Sequence, residues 1–139
     1  MRELEKFWSS VKKEEAGILA TSSNGHVTMR VVSPVYYEYA ILIFTSPDSL
    51  KYQQIEDNPN CCIAIGDCFL EAKAQFLGST MKEENAAYRD VYSAKFNDAF
   101  SEGTAFCGRD AEFVLLKPIR LKGWTIENGT PIGPFEHTY

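Results

Sequence analysis

Apolar side chains return at helical spacing near the start of the chain. Leu4, Phe7, Trp8 and Val11 form one stripe in a segment otherwise made of Glu, Lys and Ser, which predicts an amphipathic helix from residue 3 to about 14. From Gly17 the period shortens to two. "GILATSS", "HVTMRVVSPVYY" and "YAILIFTS" are rich in Ile, Val, Thr and Tyr, and "SNG" between the first two is a hairpin signal, because Asn and Gly tolerate positive φ. Three antiparallel strands are expected. In the second, Val27, Met29 and Val31 alternate with His26, Thr28 and Arg30, the signature of one apolar and one polar face. Arg30 therefore projects away from the apolar face, towards solvent or a ligand.

After "TSPD" a short helix is predicted from about Pro47 to Glu56, stopped by "DNPN", where Pro59 cannot continue it. "CCIAIGD" and "FLEAKAQFLGS" read as a hairpin turning at Gly66-Asp67. A long helix from about Lys82 to Phe100 carries Tyr88, Val91, Tyr92 and Phe96 at spacings of three and four. "AEFVLLKPIRLKGWTIENG" reads as two further strands interrupted at Pro118, which suits an edge or a bulge. Trp124, on the last of them, reads as a core residue. The sequence contains no repeat or linker. The expectation is one domain, residues 1–139, mainly β with flanking helices: a six- to seven-stranded antiparallel barrel.

Composition narrows the functional classes. The 139 residues carry 14 Lys and Arg against 19 Asp and Glu, a formal charge of −5, with no basic tract longer than Lys12-Lys13. Phosphate-driven affinity for nucleic acid has no source here. No apolar run approaches the roughly 20 residues that span a bilayer, and the charged N-terminus does not read as a signal peptide. A cytoplasmic protein without membrane contact is expected. Cys61, Cys62, Cys68 and Cys107 form no C-x-x-C pair, and Cys61 and Cys62 point to opposite faces of their strand. All four read as small core or surface residues. With only His26 and His137 available, no metal site is expected.

The stretch "IFTSPDSLK" supports two readings. Ser46 is a favoured N-cap, Pro47 suits a first helical position and Asp48 favours the positive end of the helix dipole. The same turn brings free backbone N–H groups, the hydroxyls of Thr45 and Ser49 and the ammonium of Lys51 together, as a phosphate monoester requires.

A strand bearing "MRVV", a strand ending in "IFTS", "xxSxK" opening a helix, then "NP" and the apolar strand "CCIAIG" resembles the FMN-binding split-barrel family. That family includes pyridoxamine 5′-phosphate oxidase and general stress flavoproteins. The resemblance runs from about Phe7 to Asn128 and implies a Greek-key split barrel, homodimeric, with flavin in clefts between the two barrels. By position, Arg30 and Lys51 become the phosphate cations, a fork and a point charge. Thr45, Ser46 and Ser49 become hydroxyl or backbone donors, Met29, Val31 and Val32 lie near the ring, and Gln75 offers it a polar contact. Tyr36, Tyr37 and Tyr39 would be buried at the dimer interface or line one barrel face.

The resemblance implies an FMN-dependent oxidoreductase acting on a small molecule, with NAD(P)H as a candidate partner. Pyridoxamine phosphate itself is disfavoured as substrate, because "LKGWTIENGTPIGPFEHTY" lacks the family's Arg-containing C-terminal signature. No side chain reads as a catalytic acid, base or nucleophile; His26, Tyr36 and Tyr92 are candidate proton donors. Hydride chemistry on a flavin belongs to the cofactor. Two alternatives stand beside this reading. The same fold could carry F420 or haem, haem taking His26 or His137 as axial ligand, or the barrel could be a non-catalytic flavin-binding stress or sensor protein.

Overall fold

The computed structural model describes residues 2–97, 99, 100 and 110–139. The N-terminal stripe forms α1 (Arg2–Lys13), with Phe7, Trp8 and Val11 buried. Then follow β1 (Gly17–Ser23), β2 (His26–Val32), β3 (Val35–Tyr37), β4 (Ala40–Thr45), α2 (Leu50–Asp57), β5 (Asn60–Ile65), β6 (Cys68–Ser79), α3 (Ala86–Lys95), β7 (Glu112–Glu127) and β8 (Thr130–Thr138). All strand pairs are antiparallel, in the order β2-β1-β5-β6-β7-β4-β3, with β8 also on β7. Eight strands are thus found among the described residues, one more than the upper expectation.

Turn chemistry explains the hairpins. Asn24 and Gly25 both have positive φ (50° and 76°), the geometry of a two-residue turn matching strand twist. Gly66 takes φ 63° where the second predicted hairpin reverses. Two segments depart from expectation. "HVTMRVVSPVYY" is not one strand: Ser33-Pro34 breaks it, and β3 then pairs with β4 across Glu38-Tyr39. The tail after Asn128 is β8, turned back on β7 by Asn128-Gly129.

β7 runs unbroken through Pro118 rather than stopping there. Its first half pairs with β4 and its second with β8, so Pro118 lies where β7 changes neighbours, and the β6 register shifts beside it. A missing N–H costs least at such a gap. The predicted long helix is shorter than expected: a 3-10 turn spans Glu83–Asn85, α3 ends at Lys95, and Asn97 takes φ 43°.

Two apolar cores result. Ile41 and Ile43 of β4, Ile63 and Ile65 of β5, Leu70 of β6 and Val114 and Leu116 of β7 fill the barrel, closed by Phe7, Trp8 and Val11. On the outer face of β4 and β7, Leu42 and Phe113 meet Tyr92 of α3, with Val91 of α3 and Phe96 just after it packed alongside. Each fully buried Leu, Ile or Phe contributes roughly 1.5–3 kcal/mol. Lys95 ties α3 down: its Nζ donates to the carbonyls of Val11 (2.8 Å), Glu14 (2.6 Å) and Pro34 (2.6 Å). Those three bonds use all three ammonium hydrogens.

Cys61 and Cys68 are buried, and Cys62 is half-buried on the opposite face of β5 from Cys61; all three are free thiols. Burial pushes the Cys61 and Cys68 thiols up to about 12, which keeps them protonated and inert. Cys107 lies outside the described residues. Trp124 is exposed, not core.

Candidate functional site

Hairpin arithmetic places the first cation. The Asn24-Gly25 turn sets Thr21 opposite Thr28 and Leu19 opposite Arg30. Cross-strand partners share a face, so these four point the same way, under the N-terminal half of α2. Arg30 donates through one guanidinium nitrogen to Thr21 Oγ1 (2.7 Å) and the Leu19 carbonyl (3.2 Å), and through the other to Thr28 Oγ1. Thr21 and Thr28 in turn both donate to Oε1 of buried Gln54 at 2.6 Å, and Gln54 Nε2 donates to the His26 carbonyl at 3.2 Å. Arg30 thus does project away from Val27, Met29 and Val31, but into a polar network rather than into open solvent. Three of its five N–H groups are engaged there, which leaves two for a ligand.

The second cation comes from α2. Ser49, not Ser46, caps this helix: its backbone is extended (φ −74°, ψ 152°) and its Oγ accepts from Tyr52 N at 3.2 Å. Pro47 and Asp48 are spent on a preceding turn, closed by Ser49 N donating to the Ser46 carbonyl at 3.0 Å; Ser46 Oγ accepts from Asp48 N at 3.3 Å. Pro47 is therefore not the first helical residue. This phase lets Gln54 and Ile55 face the barrel. Thr45 Oγ1 lies 2.8 Å from Ser49 Oγ. Tyr52 packs against Phe76 at 4.4 Å between ring centroids, and a hydrogen bond to Glu112 pushes its hydroxyl up to about 12.

Lys51, one residue into α2, is half-buried. Burial first, and the Arg30 guanidinium second, push its ammonium below its ordinary range; burial lowers Arg30 as well. Among the described residues neither cation forms an ion pair with a carboxylate. Two partly desolvated cations thus lie beside a helix start, an arrangement that an anion would stabilise.

The remaining predicted residues divide by face. Met29 and Val31 lie on the outer side of β2 with Val27, at 68%, 69% and 67% exposure, while Val32 is buried in the barrel core. Gln75 is exposed on the outer side of β6, opposite Leu115 of β7, and is not brought to the Arg30–Lys51 cluster within this chain. The outer face of β2, β1, β5 and β6 carries Ile18, Val27, Met29, Val31 and Phe69. A cleft of about 550 Å³ on this face runs from Val27 past Phe69 to Arg120 and Thr138. Arg120 there pairs with Glu71 and, at 3.2 Å, with Glu136, which holds the Glu71 carboxyl below its ordinary range. Neither Arg30 nor Lys51 lines this cleft.

Thr21, Thr28 and Gln54 are the site residues that the one-dimensional reading passed over. The turn register alone would have aligned the two threonines with Arg30; Gln54 carries no local signal apart from its helix phase next to Ile55.

No protein-family model matches the chain, and no curated protein matches it. Solved structures do. A candidate pyridoxamine 5′-phosphate oxidase from Listeria innocua aligns with a TM-score of 0.68 at 12% identity, over 92% of this chain and 99% of its own. A FAD-binding protein from Mesorhizobium loti aligns at 0.65 and 15%, over 86% and 90%. HutZ, a heme storage protein from Vibrio cholerae, aligns at 0.67 and 15%, over 82% and 88%. At such identities the likeness establishes the fold alone: the chain is a split β-barrel, as these structures are.

Proposed function

We propose that this chain is an FMN-dependent oxidoreductase that acts on a small molecule as a homodimer. The observation that carries the reading is the pair Arg30 and Lys51, half-buried, with the Arg30 guanidinium close enough to lower the proton affinity of Lys51, and without a carboxylate partner among the described residues. A phosphate monoester dianion relieves that repulsion, and the hydroxyls of Thr45 and Ser49 and the first N–H groups of α2 add donors. Met29 and Val31, with the backbone at Val32, would border the ring along β2, and a second copy seated on the exposed apolar side of β2 would cover the Arg30–Lys51 cluster. Gln75, which this chain does not bring to the cluster, would then have to come from that second copy. Bound flavin would supply hydride transfer; the chain's own residues would bind, orient and shield it. The substrate would be a small molecule other than pyridoxamine phosphate, with NAD(P)H as candidate electron donor.

The visible spectrum of the purified protein titrated with FMN and with riboflavin tests this. Arg30→Ala with Lys51→Ala should weaken FMN at least about a hundredfold, the scale of two charge-assisted contacts, and riboflavin much less. No flavin binding at micromolar concentration, or equal losses for both ligands, overturns the proposal.

Likeness to HutZ supports a second reading, in which the barrel holds haem and the two cations meet its propionates. His26 is exposed at the start of β2 and His137 packs edge-on against Tyr139, 4.8 Å between centroids. A Soret band lost on substituting either histidine would replace the flavin reading, and F420 binding would replace it with a third. Flavin that binds but is reduced by NADH or NADPH no faster than free FMN would favour a stress or sensor role over catalysis.

A further inference from the structure

Beside the barrel contacts of α1, and sharing Leu4 and Trp8 with them, lies a second concavity, of about 500 Å³, that neither Arg30 nor Lys51 lines. Its walls are aromatic. Trp8 stands 5.7 Å from Tyr36 at 75°, 5.9 Å from Tyr39 at 88° and 6.4 Å from Tyr139 at 78°, and Tyr36 meets Tyr39 at 5.7 Å and 79°. Trp8, Tyr36 and Tyr39 are thus close to mutually perpendicular, like the three faces meeting at the corner of a box, with Tyr139 as a fourth wall. The indole N–H is already satisfied by Tyr139 Oη at 3.0 Å, so Trp8 offers the cleft its π system and no donor.

The charges around the box have a sense. Glu5 sits on its rim, and Lys12 places its ammonium 4.4 Å from the Tyr36 ring centroid. One wall therefore already holds a cation by its negative π face. Lys12 is exposed and flexible, a ligand from the chain itself that a better cation could displace.

The turn that presents Tyr39 is held at a cost. Glu38 and Tyr39 form the two-residue β3–β4 turn with φ 46° and 59°, where Asn-Gly is the usual choice and a bulky side chain is strained. Tyr39 is nonetheless 65% exposed. Burial does not explain a strained, exposed aromatic; presenting its ring to the box does.

We propose that Trp8, Tyr36, Tyr39 and Tyr139 form an aromatic cage for a small organic cation, of the quaternary or methylated ammonium class, with Glu5 at its mouth and Lys12 as the built-in competitor. Methylated ammonium suits it because its charge is spread over apolar groups that pack on ring faces and need no hydrogen-bond acceptor.

Calorimetric titration of the full chain with choline and with neohexanol, its neutral carbon isostere, at matched ionic strength, tests the cage. Choline should saturate one site, neohexanol should bind at least about tenfold more weakly, and Lys12→Met should tighten choline several-fold. Tyr39→Gly should abolish choline binding while leaving the melting temperature unchanged or higher, since glycine relieves the positive φ. That combination separates loss of the cage from loss of the fold. Equal affinity for choline and neohexanol, no saturable heat in Lys12→Met, weakening by Lys12→Met, or undiminished choline binding by Tyr39→Gly each overturns the proposal.

Discussion

Lys51 shows how a single residue can be a poor choice for stability and a good one for binding. The folded chain holds its ammonium below the ordinary pKa through burial and Arg30. Between that lowered value and the unfolded one, the folded state binds fewer protons than the unfolded state, so stability rises with pH across the window, and the penalty is fully present at neutral pH. Lys51→Met should therefore raise the melting temperature in phosphate-free buffer and flatten its rise at alkaline pH. The same variant should lose most of the stabilisation that inorganic phosphate or FMN gives the parent chain. Thermal scans from neutral to alkaline pH, with and without phosphate, measure both; a variant that melts lower in every buffer would mean that Lys51 is a structural cation. Arg30 was legible as a ligand candidate from "MRVV" alone, because alternation put it off the apolar face. Its anchoring by Thr21, Thr28 and Gln54 was not, since three residues 9, 2 and 24 positions away meet only once α2 is laid over the β1–β2 hairpin.

At the scale of elements, the decisive piece is the start of α2. Ser46 and Ser49 both satisfy local capping rules, and sequence favours Ser46 because Pro47 follows it. Tertiary packing selects Ser49, whose helix phase buries Gln54 and Ile55. Ser49→Ala should cost about 1 kcal/mol, while Ser46→Ala, which removes only a turn contact, should cost less than half of that. Urea denaturation of the two variants measures the difference, and the reverse order would restore the sequence-based assignment. The β1–β2 and β5–β6 hairpins were legible from their turn signals, β1 to the residue and β5 and β6 to within two residues, though β2 stops at Val32 and does not run on to Tyr37. β8 was not, because "TPIGPFEHT" is broken by Gly and Pro and is carried by its pairing with β7. Nor was the β3–β4 turn, since Glu-Tyr lacks every residue that usually permits positive φ.

At the scale of the whole molecule, alternation in β2 revealed two faces but could not say which one is inside. Val27, Met29 and Val31 look like a core face, yet the chain buries the Thr28 and Arg30 side under α2 and leaves the apolar side exposed. A contiguous apolar sheet face of this kind marks an interaction surface, and the proposed homodimer would cover it. Met29→Glu together with Val31→Glu should convert a dimer to a monomer in analytical ultracentrifugation, leave far-ultraviolet circular dichroism unchanged, and weaken flavin through loss of the second copy. A parent chain that sediments as a monomer at micromolar concentration would leave that surface for another partner and sink the dimeric site.

Lys95 has a consequence for how the pieces move. Its one ammonium is saturated by carbonyls from α1, from the residue that follows it and from the β2–β3 link, so it works as a rivet through three layers. Trp8 rides on the same helix as Val11, and Tyr36 follows Pro34 by two residues, so two walls of the aromatic box are pinned by that rivet. Acylating this amine would strip its charge and at least one of its hydrogens together. A reagent that acylates lysines would thus have to break these bonds to modify Lys95, and the modified chain would lose the rivet that pins two walls of the box.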